Sequence, residues 1–232
     1  APVHHWRFQP SEKYVSTVIE PELPKADAPA DFGDLWKWQR LRKRPPASHR
    51  SYAADWARGV LEQAEDWLFV DTETTGLSRT DQVIELAIAA PVRKLGRWML
   101  EPVLVQRMRP SVRIDPGASM IHGIYEHHLR AAPTFPDMVE HIRGVMHGRR
   151  LLAWNAPFDR AALRRTVASW NTCTVAEDDH WFCAMRAHAV WAGDTGGRML
   201  YRYHKLGGNH SAMGDVQVML DRIVAMAGGR TT

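Results

Sequence analysis

The clearest signal along the chain is a short run, Trp67-Leu68-Phe69-Val70, apolar at every position and followed by a turn at Thr75-Gly76. Continuous rather than alternating hydrophobicity over four residues predicts a central strand covered on both faces. Val83 to Val92 and Trp98 to Val105 read as two further strands of a meander, with Pro102 marking an edge or a bulge because it has no N–H to give a ladder. Helical pieces are predicted at Pro116 to His122, Tyr125 to Arg130 and Phe135 to Met146, followed by a fourth strand at Leu151 to Trp154 and a helix over Phe158 to Ala168. Trp181 to Cys183 is a short fifth strand, and helices follow near Met185 to Trp191 and at Ala212 to Ala227. In the last of these, Ala212, Val216, Met219, Leu220, Ile223 and Val224 repeat with the spacing of one buried face. Three consecutive strands, then strands alternating with helices, predict an α/β fold: a mixed five-stranded sheet flanked by helices.

The front of the chain reads differently. Residues 1 to 30 carry five prolines and little periodicity, the pattern of an extended arm. Asp31 is placed to cap a short helix over Phe32 to Arg42, which Pro45-Pro46 stops, and Ser51 to cap a second, in which Tyr52, Trp56 and Val60 share a face. The expected organisation is an N-terminal helical extension over 1–50 and one domain over 51–232. Charge sharpens that division. The whole chain of 232 residues is only +4, but Leu35 to Ala54 holds six basic residues and no acid, whereas Glu65 to Thr232 is nearly balanced at 20 basic and 18 acidic. Trp6, Trp36, Trp38 and Trp56 accompany the basic run. They could stack on single-stranded bases while Arg and Lys meet phosphates, or simply fix the extension to the domain, leaving it as a docking site for a protein partner. Cys173 and Cys183 form neither a zinc ribbon nor a disulfide framework, no stretch is long and apolar enough to cross a membrane, and the N-terminus has no signal-peptide core. A cytoplasmic protein is expected.

Acidic residues stand where apolar elements end. Strand alternation puts Asp71 and Glu73 on one face at the end of the first strand, and two like charges there are costly without a cation, unless they merely cap the strand or pair at the surface. Asp159 follows Trp154-Asn155-Ala156-Pro157-Phe158, where a strand gives way to a helix, a place the helix dipole alone also favours. Asp215 borders the buried stripe of the last helix, and His210 precedes that helix by two residues.

Taken in order, Asp71-x-Glu73 within Phe-Val-Asp-Thr-Glu-Thr-Thr-Gly-Leu, Ile121-His122-Gly123-Ile124, Asn155-x-x-Phe158-Asp159 and His210-Ser-Ala-x-Gly-Asp215 resemble the successive motifs of the DnaQ-like, DEDDh 3′–5′ exonucleases. The resemblance spans roughly residues 66 to 227 and fills every acidic position of the pattern; Cys183-Ala184-Met185 matches a further short segment. It implies a ribonuclease H-like fold and hydrolysis of phosphodiester bonds at the 3′ end of single-stranded or frayed DNA, releasing nucleoside 5′-monophosphates. It further implies two Mg²⁺ or Mn²⁺ ions held by Asp71, Glu73, Asp159 and Asp215, with Asp71 bridging, and His210 as general base, a task suited to an imidazole near neutral pH. The same resemblance sets Thr74, Thr75 and Leu77 beside the 3′-terminal nucleotide, His122 on the substrate side, and Asn155 and Phe158 in support of Asp159. Leu77 and Phe158 could equally be core, and His122 a helix cap. The stretch from Met185 to His210 lacks the Ser-Leu-Asp-x-Leu segment of polymerase proofreaders, which argues against a stable polymerase-subunit role. RNA in place of DNA, or a non-catalytic nucleic-acid or partner-docking module, are the alternatives; the intact acidic set speaks against the second, since an unneutralised acidic pocket repels phosphate.

Overall fold

A computed structural model describes residues 47–176, 180–194 and 201–228 of the chain. Residues 1–46 of the extension, with its expected helix over Phe32 to Arg42 and its basic run up to Arg44, lie outside the described residues. Five strands form one sheet: β1 (Trp67–Thr74), β2 (Val83–Lys94), β3 (Arg97–Arg107), β4 (Arg150–Ala153) and β5 (Trp181–Cys183), in the order β3-β2-β1-β4-β5. β1, β2 and β3 pair antiparallel, whereas β1 with β4 and β4 with β5 are parallel, so the sheet is mixed. The helices are α1 (Ala47–Glu62), α2 (Pro116–His122), α3 (Phe135–Met146), α4 (Ala156–Trp170), α5 (Ala184–Ala192) and α6 (Ala212–Met226).

β1 lies at the centre for the reason its composition predicts. Trp67, Leu68, Phe69 and Val70 are each at most 2% exposed. Period-2 alternation sends Trp67 and Phe69 to a core shared with α1, α5 and α6, and Leu68 and Val70 to a second core built with α3 and α4. Each such side chain contributes about 1.5–3 kcal/mol by leaving water. Pro102 lies on the edge strand β3, at a register shift where Ile88 pairs Leu104 and Ala89 pairs Pro102, leaving Val103 as the extra residue of a bulge.

Local differences have tertiary causes. α1 starts at Ala47, four residues before Ser51, because its first turn has a partner far along the chain: buried His49 meets the Tyr201 hydroxyl at 2.6 Å. Trp56 packs edge-on against Trp67 at 6.3 Å and is core, not a stacking platform. α4 begins at Ala156 rather than Phe158, with Pro157 accommodated in the first turn, where an N–H would be unpaired anyway. Tyr125 to Arg130 yields only a single 3₁₀ turn, Glu126–Leu129.

Candidate active site

The alternation that fills both cores also sorts the acids. Asp71 and Glu73 continue the face of Trp67 and Phe69 and therefore look toward α6, while Thr72 looks toward α4. On the α6 side Asp71, Glu73 and Asp215 converge, each offering one carboxylate oxygen within 4.8 Å of those of the other two. On the α4 side the Thr72 hydroxyl donates to Asp159 Oδ1 at 2.9 Å, and Asp159 is 3% exposed. The four acids thus divide three and one across the end of β1, with Asp159 still the strongest like charge acting on Asp71.

The α6 side is held by close backbone work. The Ser211 hydroxyl caps α6 by accepting from the Gly214 N–H, and Asn209 Oδ1 accepts from the Ser211 hydroxyl at 2.9 Å. His210 sits in the left-handed region at φ 58°, and its N–H donates to Asp215 Oδ1 at 3.1 Å. Its side chain is exposed and close enough to Asp215 and His122 to act on both electrostatically. Gly208 has no room for a side chain: a Cβ there would lie 1.9 Å from Asp215 Oδ1.

Glu85 on β2 completes the arrangement. It pairs directly with Glu73 across the strands, is 6% exposed, and offers Oε1 to Arg107 Nε at 2.8 Å and Oε2 to the Ala212 N–H at 3.1 Å. Sequence reasoning overlooked Glu85, Gly208 and Thr72. The signals were a lone acid inside the apolar run Val83 to Ile88, a Gly pair just before a helix, and the alternation that turns Thr72 toward α4.

Burial, reinforced by like charge, works against ionisation of these acids. Burial, then Asp159, Glu73, Asp215 and Glu85, hold the Asp71 carboxyl well above the usual carboxylate range. Burial, then Asp215, Glu85 and Asp159, push Glu73 up to about 8. Burial pushes Asp159 up to about 7 against the lowering hydrogen bond from Thr72, and burial raises Asp215 against its bond from His210. A buried carboxylate set whose mutual influence is all of one sign, with oxygen donors this close, fits a hard divalent cation.

The substrate-side residues fare unevenly. Leu77 is 86% exposed at the tip of the loop after β1, so it is not core. Thr75 is fully buried, its hydroxyl donating to Asp81 Oδ1 at 2.8 Å and accepting from the Gln82 N–H at 3.0 Å, and the Thr74 hydroxyl donates to the Gly76 carbonyl. Both hydroxyls are engaged in bracing the loop. Hydrogen bonds from Thr75 and Ser78 outweigh partial burial and keep the Asp81 carboxyl below its usual range. Half-buried His122 accepts from the Ile124 N–H at Nδ1, leaving Nε2–H to donate to the Thr74 carbonyl at 3.2 Å; burial lowers its pKa and favours this neutral tautomer. It ties α2 to the end of β1, as the Asp115 N–H does by donating to the Thr75 carbonyl. Asn155 is exposed at the start of α4 and Phe158 half-buried one residue before Asp159.

Sheet order and acid placement together are those of a ribonuclease H-like nuclease. The exonuclease family model RNase_T matches residues 68–221, from the first buried strand into the last helix, and the chain belongs to this DnaQ-like family of exonucleases. The uncharacterized exonuclease CP81 of Escherichia phage 186 is 26% identical over 195 residues, covering 73% of this chain and 95% of its own length. DNA polymerase III subunit epsilon of Salmonella typhimurium is 26% identical over 184 residues, 71% of this chain and 72% of the subunit. Escherichia coli exonuclease I, in a crystal structure with a dA16 oligonucleotide, shares the fold with a TM-score of 0.52 at 18% identity, over 69% of this chain and 41% of that one. The chain therefore spans about two fifths of exonuclease I. Among the described residues no helix is long and apolar enough to cross a membrane.

Proposed function

We propose that this exonuclease removes nucleotides from the 3′ ends of single-stranded or frayed DNA, releasing nucleoside 5′-monophosphates with the help of two Mg²⁺ or Mn²⁺ ions. The observation that carries the reading is the convergence of Asp71, Glu73 and Asp215 within 4.8 Å, with buried Asp159 pressing on Asp71 from the other face. These four carboxylates would hold the metal. Divalent ions at such a site neutralise charge on the scissile phosphate and make hydroxide available near neutral pH. In this reading His210, exposed on its turn beside Asp215, takes the proton of the attacking water as the water oxygen bonds to phosphorus and the P–O3′ bond breaks. Leu77, standing out from a loop fixed by Thr75 and Asp81, packs on the terminal base, and His122 holds α2 on the substrate side. The same reading keeps 1–50 as an extension able to carry a protein partner and 51–232 as the nuclease domain, with the front turn of α1 joined to the latter through His49. It also places the protein in a reducing cytoplasm, where Cys173 and Cys183 stand free.

The test is degradation of 3′- and 5′-labelled DNA and RNA oligonucleotides with Mg²⁺, Mn²⁺ or EDTA. The 3′ label should leave at once as mononucleotide while the 5′ label shortens stepwise, on DNA faster than on RNA, and EDTA should stop both. Internal cleavage, or undiminished turnover in excess EDTA, defeats the reading; faster loss from RNA replaces DNA as the substrate.

A further inference from the structure

We propose that Glu85 is a positioning residue that seats the first turn of α6, and so places Asp215 against Asp71 and Glu73; the inference rests on the nuclease reading of that site. Glu85 occupies an unfavourable place for a charge. It faces Glu73 across the strand pair, where a like charge is unfavourable, and its burial would ordinarily be served as well by an apolar residue. What it alone provides is a bridge between three elements. Oε2 accepts from the Ala212 N–H, one of the donors that a helix start leaves without an intrahelical partner, and Oε1 binds Arg107 on the edge strand. The Ser211 cap serves Gly214 and leaves the Ala212 amide to Glu85. Asp215 follows Ala212 by three residues, less than one turn, so a shift of the amide moves the carboxylate with it. Gly208, packed against Asp215 Oδ1, leaves the carboxylate no slack on its other side. Glu85 stands outside the trio whose oxygens lie within 4.8 Å, and both its own oxygens are engaged.

Length and charge can be separated. Glu85→Gln keeps the length and an oxygen for the Ala212 amide but loses the charge, and half-exposed Arg107 is free to swing away. Glu85→Asp keeps the charge but is one methylene too short to reach Arg107 and Ala212 together. The experiment uses the full chain, first checking that the native protein degrades a 3′-labelled oligonucleotide with Mn²⁺, which tests the nuclease reading by itself. Hydrogen exchange at the Ala212 amide in metal-free protein and calorimetric Mn²⁺ affinity are then read without turnover, beside kcat at saturating Mn²⁺. Positioning predicts that Glu85→Asp exposes the Ala212 amide, weakens Mn²⁺ and lowers kcat about a hundredfold, the size of effect expected when a catalytic group shifts by an ångström. Glu85→Gln should keep the amide protected and lose less than about tenfold in kcat. The reverse order, as for an electrostatic or metal-ligand role, equal losses in the two variants, or failure of both to fold would each overturn the proposal.

Discussion

In the first half of β1, Trp67 to Val70 divide evenly between two apolar cores and leave almost no surface to water. In the second half, Asp71 and Glu73 continue the face of Trp67 and Phe69 and meet Asp215, Glu85 and, through the strand, Asp159. The pairing with β2 runs on in register from Phe69 to Glu73, burial loosens at Asp71 and Glu73, and the sign of the contribution changes. The first half stabilises the fold through burial. The second confines carboxylates that repel one another and that can be relieved only by protons or a cation. The crowding that suits a divalent cation is also unfavourable to the fold while the carboxylates are charged and unneutralised, and the packed first half is the strand that holds them there.

The largest effects should separate the halves outright. Asp71→Asn should abolish turnover, by roughly 10³-fold or more, yet raise Tm in EDTA at pH 8, because an amide removes the most crowded of the like charges. Phe69→Ala should do the opposite to stability, losing about 3–5 kcal/mol in denaturant unfolding. An Asp71→Asn protein less stable than the native one in EDTA would contradict the contrast. Next in size is Gly208→Ala. Its Cβ would occupy the place of Asp215 Oδ1, so Mn²⁺ affinity measured by calorimetry should fall about tenfold or more with the sheet intact by circular dichroism.

A smaller effect is the pH dependence of the metal-free chain. Burial and like charges push Glu73 up to about 8 and burial pushes Asp159 up to about 7, whereas His188, lowered by burial to about 4, and His122 bind fewer protons in the fold only below the ordinary histidine range, so the native state binds more protons than the unfolded one between about pH 6.5 and 8. Stability should therefore be greatest at the acidic end of that window, fall as pH rises through it, and level off above. Discounted for the solvent that reaches half-buried Glu73, the loss should be at least about 1 kcal/mol, or roughly 2–4 °C in Tm. Mn²⁺ added at pH 8 should reverse it, and a Tm in EDTA that climbs across the window would refute the account. The smallest effect is Leu77→Ala. Tm should move by less than about 0.5 kcal/mol equivalent, since Leu77 is 86% exposed, while KM for a 3′-ended oligonucleotide rises several-fold in steady-state assays.

What the sequence by itself determined is what short-range periodicity can encode. The apolar run at 67–70 made β1 central, Pro102 made β3 an edge, the stripe from Ala212 to Val224 made α6 a sheet-facing helix, and period 2 put Asp71 and Glu73 on one side. The four motifs, in their order, led to the family. Tertiary structure decided the rest, because it turned on pairs with no local relation. The parity that carries Asp71 toward α6 carries Thr72 toward α4, and only the packed helices show that Asp159 waits on that other side. Glu85 reads in sequence as an odd acid in a strand; the β1–β2 register and the docking of α6, 127 residues away, give it Glu73 as neighbour and the Ala212 amide as partner. Thr75 reads in sequence only as a hydroxyl beyond the acids; the fold of its loop gives it Asp81 and Gln82 as partners. A side chain's periodicity says which way it faces, but its chemistry is set by what distant chain is brought opposite, and that is decided by packing.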